Sequence, residues 1–205
     1  MKISNVAFVM ACFLILGLSG DTLAETRILI LGDSLTAGLG VEQNQAWPSL
    51  VESRLKQLGH GEITIVNGSI SGSTTASALS RLTWHMKIRP HLLVLALGAN
   101  DGLRGLPLDA MKENLDKTIR LALANNITVI LAGMRVPPNY GEDYSRGFSR
   151  VFSDLAGAYR LRFIPFLLEG VGAHPELNQA DGIHPNSQGH RVIAETVLPF
   201  ILGTL

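Results

Sequence analysis

The chain has 205 residues, of which 46% are hydrophobic and 17% charged, and 17 basic residues balance 17 acidic ones. This composition excludes intrinsic disorder and provides enough apolar side chains for the core of one ordinary domain. A net charge of zero, with no basic run, gives no indication of nucleic-acid binding. The charge balance fits a small-molecule enzyme or a small-molecule binding protein.

The first 24 residues have the order of a secretory signal peptide. Lys2 precedes an apolar run over residues 6–18, and residues 22–24 offer a small-residue cleavage site. A run of about 13 residues is shorter than the roughly 20 that span a bilayer. We therefore predict export to the periplasm or beyond, cleavage after Ala24, no stable membrane anchor, and a mature domain of residues 25–205.

The predicted mature chain contains no cysteine, because Cys12 is the only one in the sequence and lies in the signal segment. A disulfide framework, a thiol nucleophile and a cysteine-ligated zinc site are therefore excluded together. Whatever the exported chain does, it does without cysteine chemistry.

Short apolar strands alternate with longer amphipathic helices along the rest of the chain. Strands are predicted over residues 27–31, 63–66, 91–97, 127–131 and 162–164. The helical spacing of apolar residues predicts helices over residues 47–58, 75–88, 107–123 and 148–159, and a last one around 192–201. This alternation predicts right-handed βαβ crossovers and one domain with a parallel sheet covered on both faces.

Ligands of such α/β folds bind beyond the carboxyl ends of the strands, near the switch point of the strand order. Four segments predicted at that edge are polar or glycine-rich: Gly32-Asp33-Ser34-Leu35, Asn67-Gly68-Ser69-Ile70-Ser71-Gly72, Gly98-Ala99-Asn100-Asp101 and Asp181-Gly182-Ile183-His184-Pro185.

These segments contain the residue types that acyl transfer requires. The hydroxyl of Ser34 is a weak nucleophile until a base such as His184 takes its proton, and Asp181 can orient the imidazole. Gly72 can bring a backbone N–H close to the substrate, and Asn100 can add an amide donor for the oxyanion. Each segment alone also fits a helix cap or a turn, as for Asn100 and the two residues after it. Their common position at strand ends favours catalysis.

With these four blocks the sequence resembles the GDSL family, also called SGNH hydrolases, over essentially the whole mature chain. Ser34, Gly72, Asn100 and His184 match the four blocks, and Asp181 matches the triad acid. The chain is most similar to the small exported bacterial enzymes described as acyl-CoA thioesterase I, lysophospholipase or arylesterase. Local matches to that group are Ala46-Trp47-Pro48, Ser69-Ile70-Ser71-Gly72, Asn100-Asp101-Gly102-Leu103-Arg104-Gly105 and Pro138-Asn139-Tyr140-Gly141.

One departure from the family pattern is Ser73, where many relatives are expected to carry an acidic residue. This departure affects the local support of the loop and not the triad.

The resemblance implies a flavodoxin-like, three-layer α/β/α fold with a five-stranded parallel sheet in the order 2-1-3-4-5. It implies acyl-enzyme hydrolysis of aryl or acyl esters, and of acyl thioesters or lysophospholipids, by Ser34, His184 and Asp181. The backbone N–H groups of Ser34 and Gly72 and the amide of Asn100 are expected to bind the oxyanion. We expect no metal, no organic cofactor, no partner besides the small-molecule acyl substrate, and a monomer.

Other functions are weighed against this one. A nucleotide-binding protein is disfavoured because Gly32, Gly38 and Gly40 lack G-x-G-x-x-G spacing and no Gly-Lys-Ser or Gly-Lys-Thr occurs. An α/β-hydrolase is disfavoured because Ser34 is not in G-x-S-x-G. A non-catalytic binding protein on the same scaffold and a carbohydrate O-deacetylase of the same family remain alternatives. The apolar loop at residues 134–138 favours an acyl chain over a sugar.

Overall fold

The computed structural model describes residues 25–205, and the predicted signal segment with its cleavage site lies outside them. Five strands form one sheet: β1 (Thr26–Gly32), β2 (Ile63–Asn67), β3 (Leu92–Ala96), β4 (Thr128–Ala132) and β5 (Arg162–Ile164). Every pairing is parallel, and the strand order is β2-β1-β3-β4-β5. The predicted fold class and strand order are confirmed.

The centre of the sheet is aliphatic because both of its faces are covered. All five residues of β3 are buried, as are the last five of β1, whereas the edge strand β2 is only partly buried. A continuous aliphatic run is typical of a parallel strand between two helical layers, where no face meets water.

Residues 25–205 contain seven α-helices: α1 (Ser34–Ala37), α2 (Trp47–Gln57), α3 (Ala78–His85), α4 (Ala99–Leu103), α5 (Leu108–Ala124), α6 (Glu142–Tyr159) and α7 (Ser187–Leu202). Helix α2 packs against α7, and α5 packs against both α3 and α6. Right-handed crossovers place these two groups on opposite faces of the sheet. Within the described part of the chain, no helix is both long and apolar enough to cross a membrane.

Two helix predictions and one turn prediction differ from the structure, and the last helix begins at Ser187, before its predicted range. The helix predicted over 75–88 is an α-helix only from Ala78 to His85, with a 3₁₀ turn on each side. Helix α6 begins at Glu142, six residues before the predicted start, where its first turn pairs with Arg146. The turn predicted at Asn100 is the short helix α4, which follows Gly98 at a φ of 129°.

The register of the sheet brings three loops to one edge. Ile30 of β1 pairs with Asn67, the last residue of β2, and Gly32 pairs with Ala96, the last residue of β3. The loops that follow β1, β2 and β3 therefore begin side by side. This edge is the switch point at which ligands of such folds bind.

Candidate active site

Ser34, His184 and Asp181 form one hydrogen-bonded chain, which we call the relay. Ser34 is the first residue of α1, and its Oγ lies 3.0 Å from Nε2 of His184. Nδ1 of the same imidazole lies 2.7 Å from Oδ2 of Asp181. The structure thus brings together the three residues that the sequence predicts as a triad, although Ser34 and His184 are 150 residues apart.

Asp33 shapes the turn that presents Ser34. Its Oδ1 accepts a hydrogen bond from the backbone N–H of Leu35 (3.1 Å) and so caps α1. Ser34 lies in the first turn of this helix, where N–H groups have no intrahelical acceptor. The Ser34 N–H is therefore available to an acyl oxygen bound beside its Oγ.

The loop before α7 holds Asp181 as an ionised acceptor. Asp181 Oδ1 accepts the backbone N–H groups of His184 (3.0 Å) and Ile183 (2.9 Å). The hydrogen bonds from the backbone and the ring of His184, and then that from Ile183, hold the pKa of Asp181 well below its usual range. A carboxylate facing Nδ1 favours the tautomer with a proton on Nδ1, which leaves Nε2 free to accept the proton of Ser34.

Gly72 lies in a tight turn formed by residues 70–73, which we call the Gly72 turn. The N–H of Ser73 donates to the carbonyl oxygen of Ile70 (3.2 Å), and Gly72 has a φ of 77°, a value that favours glycine. In a turn closed in this way, the N–H of the third residue has no acceptor inside the turn. The N–H of Gly72 is therefore available as a donor.

The side chain of Asn100, in α4, contacts both Asp33, which precedes Ser34, and the Gly72 turn. Its Nδ2 donates to the carbonyl oxygen of Ser73 at 3.0 Å and, over a longer 3.4 Å, to Oδ2 of Asp33. The second contact is the weaker one. A negatively charged acyl oxygen beside Ser34 can therefore compete with Asp33 for that amide proton.

The residue after Asn100 is a buried acid without an assigned role in the sequence prediction. Asp101 is only 2% exposed, and it accepts the N–H (2.9 Å) and the hydroxyl (2.6 Å) of Thr75. These bonds join α4 to the segment just after the Gly72 turn. Asp101 is therefore the buried support of the two predicted oxyanion donors, Gly72 and Asn100.

Two charged residues near Ser34 are buried, Asp33 and Arg81. Burial raises the pKa of Asp33 to about 6, against the opposing effect of its backbone hydrogen bonds. Arg81 of α3 is also buried and donates to the carbonyl oxygens of Gly32 and Gly68, at the ends of β1 and β2. Sequence reasoning assigned Arg81 no role, yet its position on the buried face of α3, beside Ala78 and Leu82, was a usable signal.

An open cleft of about 430 Å³ leads away from Ser34 and His184, which is within the usual size range of small-molecule sites. One side of it is apolar, and its lining there includes Met134, Val136, Pro137, Phe166 and Leu168. The predicted apolar loop therefore does line the cleft. A site of this shape can hold an aliphatic or aromatic group against the relay.

Comparison with known proteins agrees with this geometry. Residues 30–192 match the model of the GDSL-like lipase/acylhydrolase family. An arylesterase of Vibrio mimicus is 42% identical over 88% of this chain and 90% of its own length. The thioesterase 1/protease 1/lysophospholipase L1 of Escherichia coli K12 is 36% identical over 84% of this chain and 81% of its own. The crystal structure of TesA is 39% identical, with a TM-score of 0.84 over 88% of this chain and all of that chain.

The chain belongs to the GDSL-like lipase/acylhydrolase family. The predicted resemblance and the prediction that the chain is a GDSL-type hydrolase are confirmed.

Proposed function

We propose that the protein hydrolyses carboxylic esters of acyl or aryl groups through an acyl-enzyme formed on Ser34. The observation that carries this proposal is the relay of Ser34, His184 and Asp181, which opens directly onto an apolar cleft. Acyl esters also agree with the names of similar proteins, which are an arylesterase, an esterase and a thioesterase 1/protease 1/lysophospholipase L1.

The mechanism follows from the hydrogen bonds of the relay. Ser34 Oγ attacks the acyl carbonyl while its proton passes to Nε2 of His184, and Asp181 stabilises the imidazolium. The carbonyl oxygen becomes an oxyanion, which the N–H groups of Ser34 and Gly72 and the amide of Asn100 bind. His184 then gives the proton to the departing alcohol or thiol. Water, activated by the same imidazole, hydrolyses the acyl-enzyme and restores Ser34.

The chemistry of the cleft favours longer acyl groups over acetylated sugars. Sugar recognition relies on hydrogen bonds to several hydroxyl groups, whereas Met134, Val136 and Leu168 offer aliphatic contacts. Burial of each additional methylene of an acyl chain contributes about 0.8 kcal/mol. We therefore rank acyl and aryl esters first, and acyl thioesters and lysophospholipids as further substrates of the same site.

A panel of aryl acetate, longer aryl acyl esters, acyl-CoA, lysophospholipid and acetylated sugar tests this proposal. We expect kcat/KM to increase from acetyl to medium-chain esters, with little turnover of the sugar. Ser34→Ala, assayed in parallel, must lose all of these activities. Preference for the acetylated sugar would favour an O-deacetylase, and no turnover of any substrate would favour a non-catalytic binding protein.

Export and assembly are the remaining parts of the proposal. We propose that the chain is exported, that the signal segment is removed after Ala24, and that the mature enzyme acts as a monomer without a cofactor. The order of residues 1–24 supports export, and the relay supports catalysis by side chains alone. Mass spectrometry of the protein recovered from the periplasm or the medium tests export and cleavage. Size-exclusion chromatography tests the monomer, and activity after dialysis against EDTA tests whether a metal is needed.

A further inference from the structure

Three side chains of helix α4 and its end bond to the Gly72 turn or to the segment just after it, and the third of them has no assigned role. The first two come from the side chains of Asn100 and Asp101. The third comes from Arg104, whose Nη2 donates a hydrogen bond to the carbonyl oxygen of Gly72 at 3.0 Å. Arg104 follows the last residue of α4, so all three contacts come from one short helix and its end.

Arg104 acts on a part of the turn that has little other side-chain support. Among the hydrogen bonds of residues 25–205, the bond from Arg104 is the one that a side chain makes to Gly72. Ser73 contributes its main-chain N–H and carbonyl oxygen, and its hydroxyl makes no hydrogen bond in this part of the chain. A glycine turn without such a bond can sample more than one backbone conformation.

The end of α4, which carries Arg104, is itself held by several hydrogen bonds. The backbone N–H of Arg104 donates to the carbonyl oxygen of Asn100 (3.2 Å). The hydroxyl of Tyr140 donates to the carbonyl oxygen of Leu103 (2.8 Å), and the hydroxyl of Tyr144 to that of Leu106 (2.9 Å). The helix end is thus tied to α6 and to the segment that leads into it. The guanidinium can therefore fix the turn relative to Asn100.

We propose that Arg104 is a positioning residue for oxyanion stabilisation, because it holds the Gly72 turn at a fixed distance from the Asn100 amide. The Arg104 bond fixes the peptide unit after Gly72, and the bond from Ser73 to Ile70 closes the turn around it. With both in place, and with Gly72 at a φ of 77°, the direction of the Gly72 N–H is restricted. The inference rests on the proposed function, since it presupposes an oxyanion formed beside Ser34.

Replacement of Arg104 tests the inference without disturbing the core, because this side chain is exposed. Arg104→Ala removes the bond, and Arg104→Lys retains a charge and one possible donor. Arg54→Ala is the matched control, because Arg54 is also exposed and its side chain donates to Gln57 on α2, in the other helical layer. The substrate is a neutral, short-chain aryl ester, so that attraction between opposite charges plays no part.

For Arg104→Ala we expect kcat to fall about 10-fold, less than the 10²–10³-fold typical of a donor lost outright. KM should stay within about twofold and the melting temperature should not change, because the interaction acts in the transition state. Arg104→Lys should lie between Arg104→Ala and the wild type, and Arg54→Ala should match the wild type.

The inhibition constant of a trifluoromethyl ketone distinguishes a role of Arg104 in oxyanion binding from a merely structural one. The oxygen of Ser34 adds to the ketone carbonyl, the Ser34 proton passes to His184, and the carbonyl oxygen becomes a bound oxyanion. In Arg104→Ala, the inhibition constant of this ketone should rise by the same factor by which kcat/KM falls. The inhibition constant of the matched non-fluorinated ketone, which remains a neutral carbonyl, should be unchanged.

The outcomes separate the two proposals. An unchanged inhibition constant for the trifluoromethyl ketone in Arg104→Ala would overturn the role of Arg104 and leave the function of Ser34 intact. A rise in KM alone, with constant kcat, would also overturn it, because Arg104 would then contact the substrate directly. If the wild-type protein forms no adduct with the ketone, the proposed function itself fails.

Discussion

The relay and the Gly72 turn face the same cleft, but they are held in different ways. The relay depends on a loop between β5 and α7, in which Asp181 is half-exposed and its carboxylate accepts the main-chain N–H groups of Ile183 and His184. The Gly72 turn depends on helix α4, whose Asp101 is almost fully buried.

This difference predicts where substitutions are tolerated. The loop of the relay is fixed by polar side chains that include Gln179 and Asn186, each of which donates a hydrogen bond to a carbonyl oxygen. A hydrogen bond between partly exposed groups contributes only about 1 kcal/mol to stability, so the loop should tolerate the loss of one such bond. The buried carboxylate of Asp101 has no substitute. The chemical groups of the relay should therefore dominate activity, whereas the supports of the turn should dominate stability.

The largest effect on activity is expected for Ser34→Ala, which should lower kcat/KM by about 10⁴- to 10⁶-fold because no nucleophile remains. His184→Ala should be comparably damaging, since the hydroxyl then has no base. Steady-state hydrolysis of an aryl ester measures both effects. Ser153→Ala on the exposed face of α6 is the control, and a folded Ser34→Ala enzyme with wild-type turnover would remove Ser34 from the mechanism.

Asp181→Asn should be milder, with kcat lowered about 10³- to 10⁴-fold. An amide can present its N–H groups to Nδ1 of His184 and so stabilise the wrong tautomer. Thermal melting should change little, because the side chain is half-exposed. Equal activity of Asp181→Asn and the wild type would show that His184 needs no carboxylate.

Asn100→Ala tests the turn side of the cleft, and its kcat should fall about 10²- to 10³-fold with a modest change in KM. The amide binds oxygen more strongly once that oxygen is negative, so the loss appears mainly in the transition state. Asn125→Ala, at the exposed end of α5, is the control. An effect on KM alone would assign Asn100 to substrate positioning.

Asp101→Asn should lower the free energy of unfolding by about 1–3 kcal/mol, because it leaves the N–H or the hydroxyl of Thr75 without its acceptor. Chemical denaturation measures this change, and Asp109→Asn at the exposed start of α5 is the control. We expect kcat to fall less than in Asn100→Ala. A stable Asp101→Asn protein with full activity would show that the Gly72 turn needs no buried support.

Replacement of Asp33 should change the pH dependence of stability. Its pKa is raised to about 6 in the folded protein, so folding favours the protonated acid. Its contribution to stability is therefore present at low pH and is lost as the pH rises from about 4 to about 6. Asp33→Asn should remove that decline, measured by denaturation at several pH values. An identical pH profile in both proteins would contradict a buried, titrating Asp33.

The sequence was informative where the structure depends on local or periodic patterns. Short runs rich in apolar or β-branched residues predicted all five strands, and the four motifs of the family resemblance pointed to Ser34, Gly72, Asn100 and His184 as candidate site residues. The short helix α4 was missed because five residues show no helical periodicity. The bond from Arg104 to Gly72 spans 32 residues and has no local signal, since it depends on the packing of α4 beside the loop after β2.

The most direct test of the relay is covalent labelling by an organophosphonate, followed by mass spectrometry of the intact protein and its peptides. A phosphonate reacts with a serine only where a neighbouring base activates the hydroxyl. We predict one adduct per chain, located on Ser34, absent from Ser34→Ala and formed far more slowly in His184→Ala. An adduct on another residue, or equally fast labelling of Ser34 without His184, would contradict the activation of Ser34 by His184.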